Sequence, residues 1–129
     1  MDSQLKVVRP IKLTREAVNE LIIDSIQDIK GKNVLQIDLR HLTDAPADFF
    51  VICEGESTTQ VRAISDNIQR RLKGDAGISP THVEGQRHSR WICMDYFSTV
   101  VHIFHKETRT FYELEDLWSD GIFTEYENL

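Results

Sequence analysis

Gly55-Glu56-Ser57 follows the apolar run Phe49-Phe50-Val51-Ile52-Cys53 and precedes residues spaced for a helix. A glycine and a serine at a helix start gather backbone amides, and such amides bind phosphate. Nucleotidyl transfer built on that element needs two more acids, at i and i+2 on a later strand, to hold magnesium. The next strand-like run, His82-Val83-Glu84, offers one acid, and Asp95 stands alone. Scattered carboxylates cannot neutralise a transferring phosphoryl group. Ser57 therefore reads as a helix cap, with Gln60 completing a capping box.

Other chemistries fare no better. The chain has no GxSxG, no Walker loop and no Cys–His spacing typical of a catalytic nucleophile. Cys53 and Cys93 each lie in an apolar run without a CxxC motif. They read as reduced packing thiols, which points inside the cell. The histidines His41, His82, His88, His102 and His105 show no HExxH pattern, and His102 and His105 face opposite sides of a strand. No metal, no cofactor and no enzymatic activity are expected.

The chemistry-bearing residues sit on a chain of 129 residues, 40% apolar and 28% charged, which suits one domain with a real core. The longest apolar run, five residues, predicts neither a membrane span nor a signal-peptide core. Residues 1–106 balance 14 acids with 14 bases, so the net charge of -6 resides entirely in residues 107–129. There Arg109 is the lone base among Glu107, Glu113, Glu115, Asp116, Asp120, Glu125 and Glu127. A solvated acidic end is one reading, and a docking surface for a basic partner is the other. A protein that coats nucleic acid is disfavoured.

After a lead-in over residues 1–12, Thr14 caps a helix carrying Val18, Leu21, Ile22, Ile26 and Ile29, ended by Gly31. Residues 33–39 alternate as a strand, and 48–53 read as a central strand buried on both faces. Val61, Ile64, Ile68 and Leu72 stripe a second helix, which Gly74 should end. A short strand follows at 81–84, then a hairpin of 90–96 and 100–105, then a helix over 110–118. The order predicts a single α/β domain over residues 13–118, with a mixed sheet of about five strands and flanking helices, and an acidic tail over 119–129.

A two-residue turn at Phe97-Ser98 would set Trp91 opposite Phe104, Cys93 opposite His102 and Asp95 opposite Val100. Ile92, Met94, Val101 and Ile103 then form an aliphatic core face. The other face mixes aromatic, histidine and acid, a composition that suits a binding hot spot as well as a core. Trp118 shares a stripe with Phe111 and Leu114 and reads as core.

The string Ala47-Asp48-Phe49-Phe50-Val51-Ile52-Cys53-Glu54-Gly55, with Ser57, Gln60-Val61 and Ala63-Ile64, resembles the first signature of the ribosomal silencing factor (RsfS, or Iojap) family. Val83-Glu84-Gly85, Trp91, Asp95-Tyr96 and Val100-Val101-His102-Ile103-Phe104 resemble its second half, with Arg109, Phe111-Tyr112, Leu114-Glu115 and Leu117-Trp118 completing it. The resemblance implies a nucleotidyltransferase-like fold without its catalytic acids. It implies binding to the large ribosomal subunit at its protein number fourteen, on the face that meets the small subunit. Such a factor, monomer or homodimer, blocks subunit joining in the cytoplasm and lowers translation when nutrients are scarce. Organellar relatives serve ribosome assembly, the alternative role; an enzyme with unusual acids is the reading of a different class. The family's contact residues map to Trp91, Asp95 and Tyr112, with Glu115 a further candidate. Two departures stand out. Phe97-Ser98 replaces the family's usual Gly-Asp, which predicts a wider turn, and residues 119–129 exceed the family's usual end.

Overall fold

The computed structural model describes residues 13–129, apart from the side chains of residues 110–112. The lead-in expected over residues 1–12 lies outside the described residues. Thr14 Oγ1 accepts the Ala17 amide at 3.0 Å and starts α1 (Arg15–Asp28). The chain then leaves the helix through Lys30 in a left-handed conformation. Gly31 follows because a Cβ there would stand 2.4 Å from Ile26 Cγ2. Strand β1 (Lys32–Asp38) pairs antiparallel with β2 (Phe49–Gly55). The capping Ser57 Oγ accepts the Gln60 amide and starts α2 (Thr58–Ala76).

The remaining elements are β3 (His82–Glu84), β4 (Trp91–Tyr96), β5 (Thr99–His105), α3 (Lys106–Tyr112), α4 (Leu114–Leu117) and β6 (Ile122–Glu125). They complete one mixed sheet in the order β3-β4-β5-β2-β1-β6. Its centre is the parallel pair β2–β5, and a parallel pair needs a long crossover, which α2 and the β3–β4 hairpin provide.

The two sheet faces are covered differently. Helices α1 and α2 bury Ile22, Ile26, Ile64, Ile68 and Leu72 against Val51, Cys53, Ile92, Met94, Val101 and Ile103. Burial of each large aliphatic side chain stabilises the fold by about 1.5–3 kcal/mol. The opposite face carries Leu35, Ile37, Leu39, Phe50, Ile52 and Phe104, against which Leu42, Ala45, Trp91, Leu114 and Trp118 pack. Loops, the short α4 and an edge tryptophan cover this second face, and its β4 end stays partly open.

The structure corrects four expectations. Helix α2 runs past Gly74, whose missing side chain faces open space, and stops at Gly77 with φ 66°. The final helix splits into α3 and α4 because Glu113 turns left-handed at φ 47°. The β4–β5 turn is tight, with Tyr96 opposite Thr99, because Phe97 accepts φ 72° at a cost of about 1–2 kcal/mol. The sheet has six strands where about five were expected, and the sixth comes from the segment read as a tail. Ile122–Glu125 pairs antiparallel with β1, and Tyr126 donates its amide to the Val34 carbonyl at 3.0 Å.

Candidate partner-binding face

Gly85 shapes the open end of the sheet. It sits at φ 90°, and a Cβ there would lie 2.0 Å from the Trp91 carbonyl oxygen. Only glycine lets the turn before β4 close so tightly on the strand. From Trp91 onward the side chains alternate, so Trp91, Cys93 and Asp95 share the face away from α1 and α2. The β5 partners are Phe104, His102 and Val100, the pairing expected from the sequence. On the other side, β3 sets Glu84 opposite Cys93 and His82 opposite Asp95.

Trp91 is half-buried. Its ring stacks on Phe104 with centroids 4.9 Å apart and planes at 24°, and its Nε1–H donates to His102 Nδ1 at 3.1 Å. Phe50 meets the His102 ring edge-on at 4.7 Å, and Trp118 meets Phe50 edge-on at 5.9 Å. Trp91 is thus both a packing residue and the exposed margin of an aromatic row. Trp118 packs as expected, although it follows α4 instead of lying within a helix.

His102 is only 6% exposed, and burial lowers its pKa to about 4. The neutral ring accepts at Nδ1 and so carries its proton at Nε2, which is buried with no hydrogen-bond partner among the described residues. Cys93 Sγ lies 3.3 Å from the same Nδ1, a proximity that the spacing along the chain hid and the hairpin register creates. A nucleophilic pair needs a thiolate beside an imidazolium. Here burial pushes the thiol up to about 11 and the imidazole down, so both groups are neutral near pH 7.

Asp95 is half-exposed, and its Oδ1 accepts the Phe97 amide at 2.9 Å across the hairpin turn. Trp91 and Asp95 share a face but stand four residues apart, about 13 Å of strand. Tyr112 ends α3, and its side chain lies outside the described residues. Glu115 on α4 accepts from Arg109 Nε at 2.9 Å. Arg109 Nη1 also donates to the Asn33 carbonyl at 2.6 Å and to Glu54 Oε1 at 3.2 Å. Glu54 lies in the ladder row of Phe104 and Trp91, so the Arg109 group borders the aromatic row at its far end. No motif marks Arg109 as a hub; its signal in the sequence is that it is the only base in residues 107–129.

Around Arg109 a cleft of about 560 Å³ is lined by Glu54, Glu113, Glu115 and Glu125. The Glu113 carboxyl is raised by its hydrogen bond with Asp116 and by the charge of that neighbour. Part of the acidic end is therefore folded surface, with Glu113 and Asp116 held against each other. At the other candidate site, the start of α2, Gln60 Oε1 accepts the Glu56 amide at 2.7 Å and Glu56 pairs with Lys106 at 2.8 Å. The amides of Glu56 and Gln60 at this helix start are engaged within the chain, beside the Glu56 carboxylate. Among the described residues no group of three His, Cys, Asp or Glu is placed to hold a metal ion, and no helix is long and apolar enough to cross a membrane.

The fold belongs to a known class. A family model described as "Ribosomal silencing factor during starvation" (RsfS) matches residues 12–128. The ribosomal silencing factor RsfS of Halalkalibacterium halodurans is 32% identical over 117 residues, covering 91% of this chain and 98% of that protein. A mouse protein named "Mitochondrial assembly of ribosomal large subunit protein 1" is 38% identical over 74 residues, 56% of this chain and 32% of that protein. A crystal structure of a Chromobacterium violaceum protein aligns with TM-score 0.78 at 30% identity, covering 83% of this chain and 88% of that one. The chain belongs to the ribosomal silencing factor family. The match runs to residue 128, so β6 falls inside the family's extent and not beyond it.

Proposed function

We propose that this protein is a non-enzymatic factor that binds the large ribosomal subunit at its protein number fourteen and blocks joining with the small subunit. It acts in the cytoplasm, as a monomer or homodimer, and lowers translation when nutrients are limiting. The observation that carries the reading is the family match over residues 12–128, nearly the whole chain. Two features of this chain support it. Trp91 and Asp95 lie on the partly open sheet face, an aromatic and a charge of the kind that anchor interfaces. The acidic cleft around Arg109 suits a basic partner, since complementary fields speed encounter and fix orientation.

Steric exclusion suffices as mechanism, because subunit joining needs the occupied surface. A second role, holding immature large subunits apart during assembly, is favoured by the name of the mouse relative. Co-sedimentation with purified large subunits at moderate salt tests both roles, and failure to follow the large subunit removes both. Deletion in cells then separates them. Accumulated immature large particles mark assembly, whereas normal particles that join too readily in starved cells mark silencing. Nucleoside triphosphates with magnesium should give neither binding by calorimetry nor released pyrophosphate.

A further inference from the structure

Phe97 is 87% exposed at the tip of the β4–β5 hairpin and holds φ 72°. Exposing a large apolar ring is unfavourable, and so is left-handed backbone at a residue with a bulky side chain. Both costs fall on one position, and the exposed ring recovers little of them inside the chain. Glycine would fill the same turn without either, and asparagine would tolerate it better than phenylalanine does.

The tip is also rigidly held. Asp95 Oδ1 accepts the Phe97 amide at 2.9 Å, and the Ser98 amide donates to the Tyr96 carbonyl at 2.8 Å. The Ser98 carbonyl in turn accepts from the amides of Asp48 at 2.9 Å and Phe49 at 3.1 Å, tying the tip to β2. A ring on so fixed a support loses little freedom on docking. Asp95 stands two residues away with its Oδ2 making no hydrogen bond among the described residues.

We infer that Phe97 is an anchor of the ribosomal interface, inserted into an apolar pocket of the partner protein whose rim supplies a Lys or Arg to Asp95. The inference rests on the proposed function and extends its contact surface from the sheet face to the hairpin tip. An exposed apolar ring two residues from Asp95, at the end of the strand that carries Trp91, fits a basic protein surface with a hydrophobic recess.

Phe97→Gly and Phe97→Asn test it, since glycine suits the turn and asparagine tolerates positive φ better than phenylalanine. Melting temperature should hold or rise, because backbone strain is relieved. Co-sedimentation with large subunits should weaken about tenfold or more, the range of a truncated hot spot. Subunit binding within about twofold of the unsubstituted protein would overturn the inference and leave the proposed function standing. A large fall in melting temperature in both variants would place the ring in the fold and overturn it as well. If the unsubstituted protein sediments alone as a dimer that Phe97→Gly dissociates, with subunit binding unchanged, the ring seats on a second copy and the inference fails. If the unsubstituted protein does not follow large subunits, the proposed function itself fails.

Discussion

Trp91 Nε1 donates to His102 Nδ1 at 3.1 Å, diagonally across the β4–β5 ladder. The bond requires a neutral imidazole and fixes its tautomer, and it couples an exposed aromatic margin to a buried ring. The stability of this face therefore depends on pH.

The sign follows from the two states. Folded His102 stays neutral down to about 4, while the unfolded residue takes a proton below its ordinary value of 6.5. Stability is unaffected by this group above that value and falls progressively as pH drops from there to about 4, by up to about 3 kcal/mol. Urea denaturation of His102→Asn, which keeps an acceptor but does not titrate, should show a smaller loss between about pH 7 and about pH 4.5. An unchanged pH dependence would remove His102 from the account.

Arg109 ties three elements together through Asn33, Glu54 and Glu115. Its side chain is 13% exposed, so Arg109→Ala leaves two carboxylates partly buried without a counter-charge. We expect a loss of about 3 kcal/mol in chemical denaturation. Glu115→Ala should cost less, about 1 kcal/mol, because Glu54 still holds the guanidinium. A costless Arg109→Ala would show the network to be incidental.

Gly85→Ala places a Cβ against the Trp91 carbonyl at φ 90°, where the strand must shift. Stability should fall by about 2 kcal/mol or more. The near-ultraviolet dichroism of the tryptophans should change with it, since Trp91 is displaced. The same spectrum and melting temperature as the parent would contradict the proposed closeness of turn and strand.

Much of this architecture was legible because burial imprints a period on sequence. Val61, Ile64, Ile68 and Leu72 mark a helix face, and Ile92, Met94, Val101 and Ile103 mark the core side of a hairpin. That alternation also delivered the pairing of Trp91, Cys93 and Asp95 with β5. Strand β6 left no such imprint, because all of Ile122, Phe123, Thr124 and Glu125 are exposed and the strand is held by backbone pairing to β1. Glu113 and Phe97 adopt left-handed turns that their residue types do not announce. Arg109 was visible as a residue but not as a hub, since Asn33 and Glu54 lie far away in the chain.

Strand β6 carries a prediction of its own. A chain ending at Trp118 uncovers the β1 edge and removes Gly121, whose backbone packs against Ile37. The truncated protein should melt lower, and the Gln36 and Asp38 region of β1 should lose hydrogen-exchange protection first. Unchanged protection there would mean that the terminal segment is a dispensable tail.

The central claim is that the face bearing Trp91 and Asp95 occupies the joining surface of the large subunit. Gradient sedimentation of the protein with purified large and small subunits measures it directly, using Trp91→Ala and Asp95→Asn beside the parent. Asp95→Asn keeps an oxygen for the Phe97 amide and removes only the charge. Trp91→Ala also loses a ring stack and a hydrogen bond, so it is compared at a temperature where circular dichroism shows it folded. The parent should travel with large subunits and deplete joined particles. Both variants should need roughly thirtyfold more protein for the same effect. A parent that stays at the top of the gradient, or folded variants that block joining as well as the parent, would contradict the account.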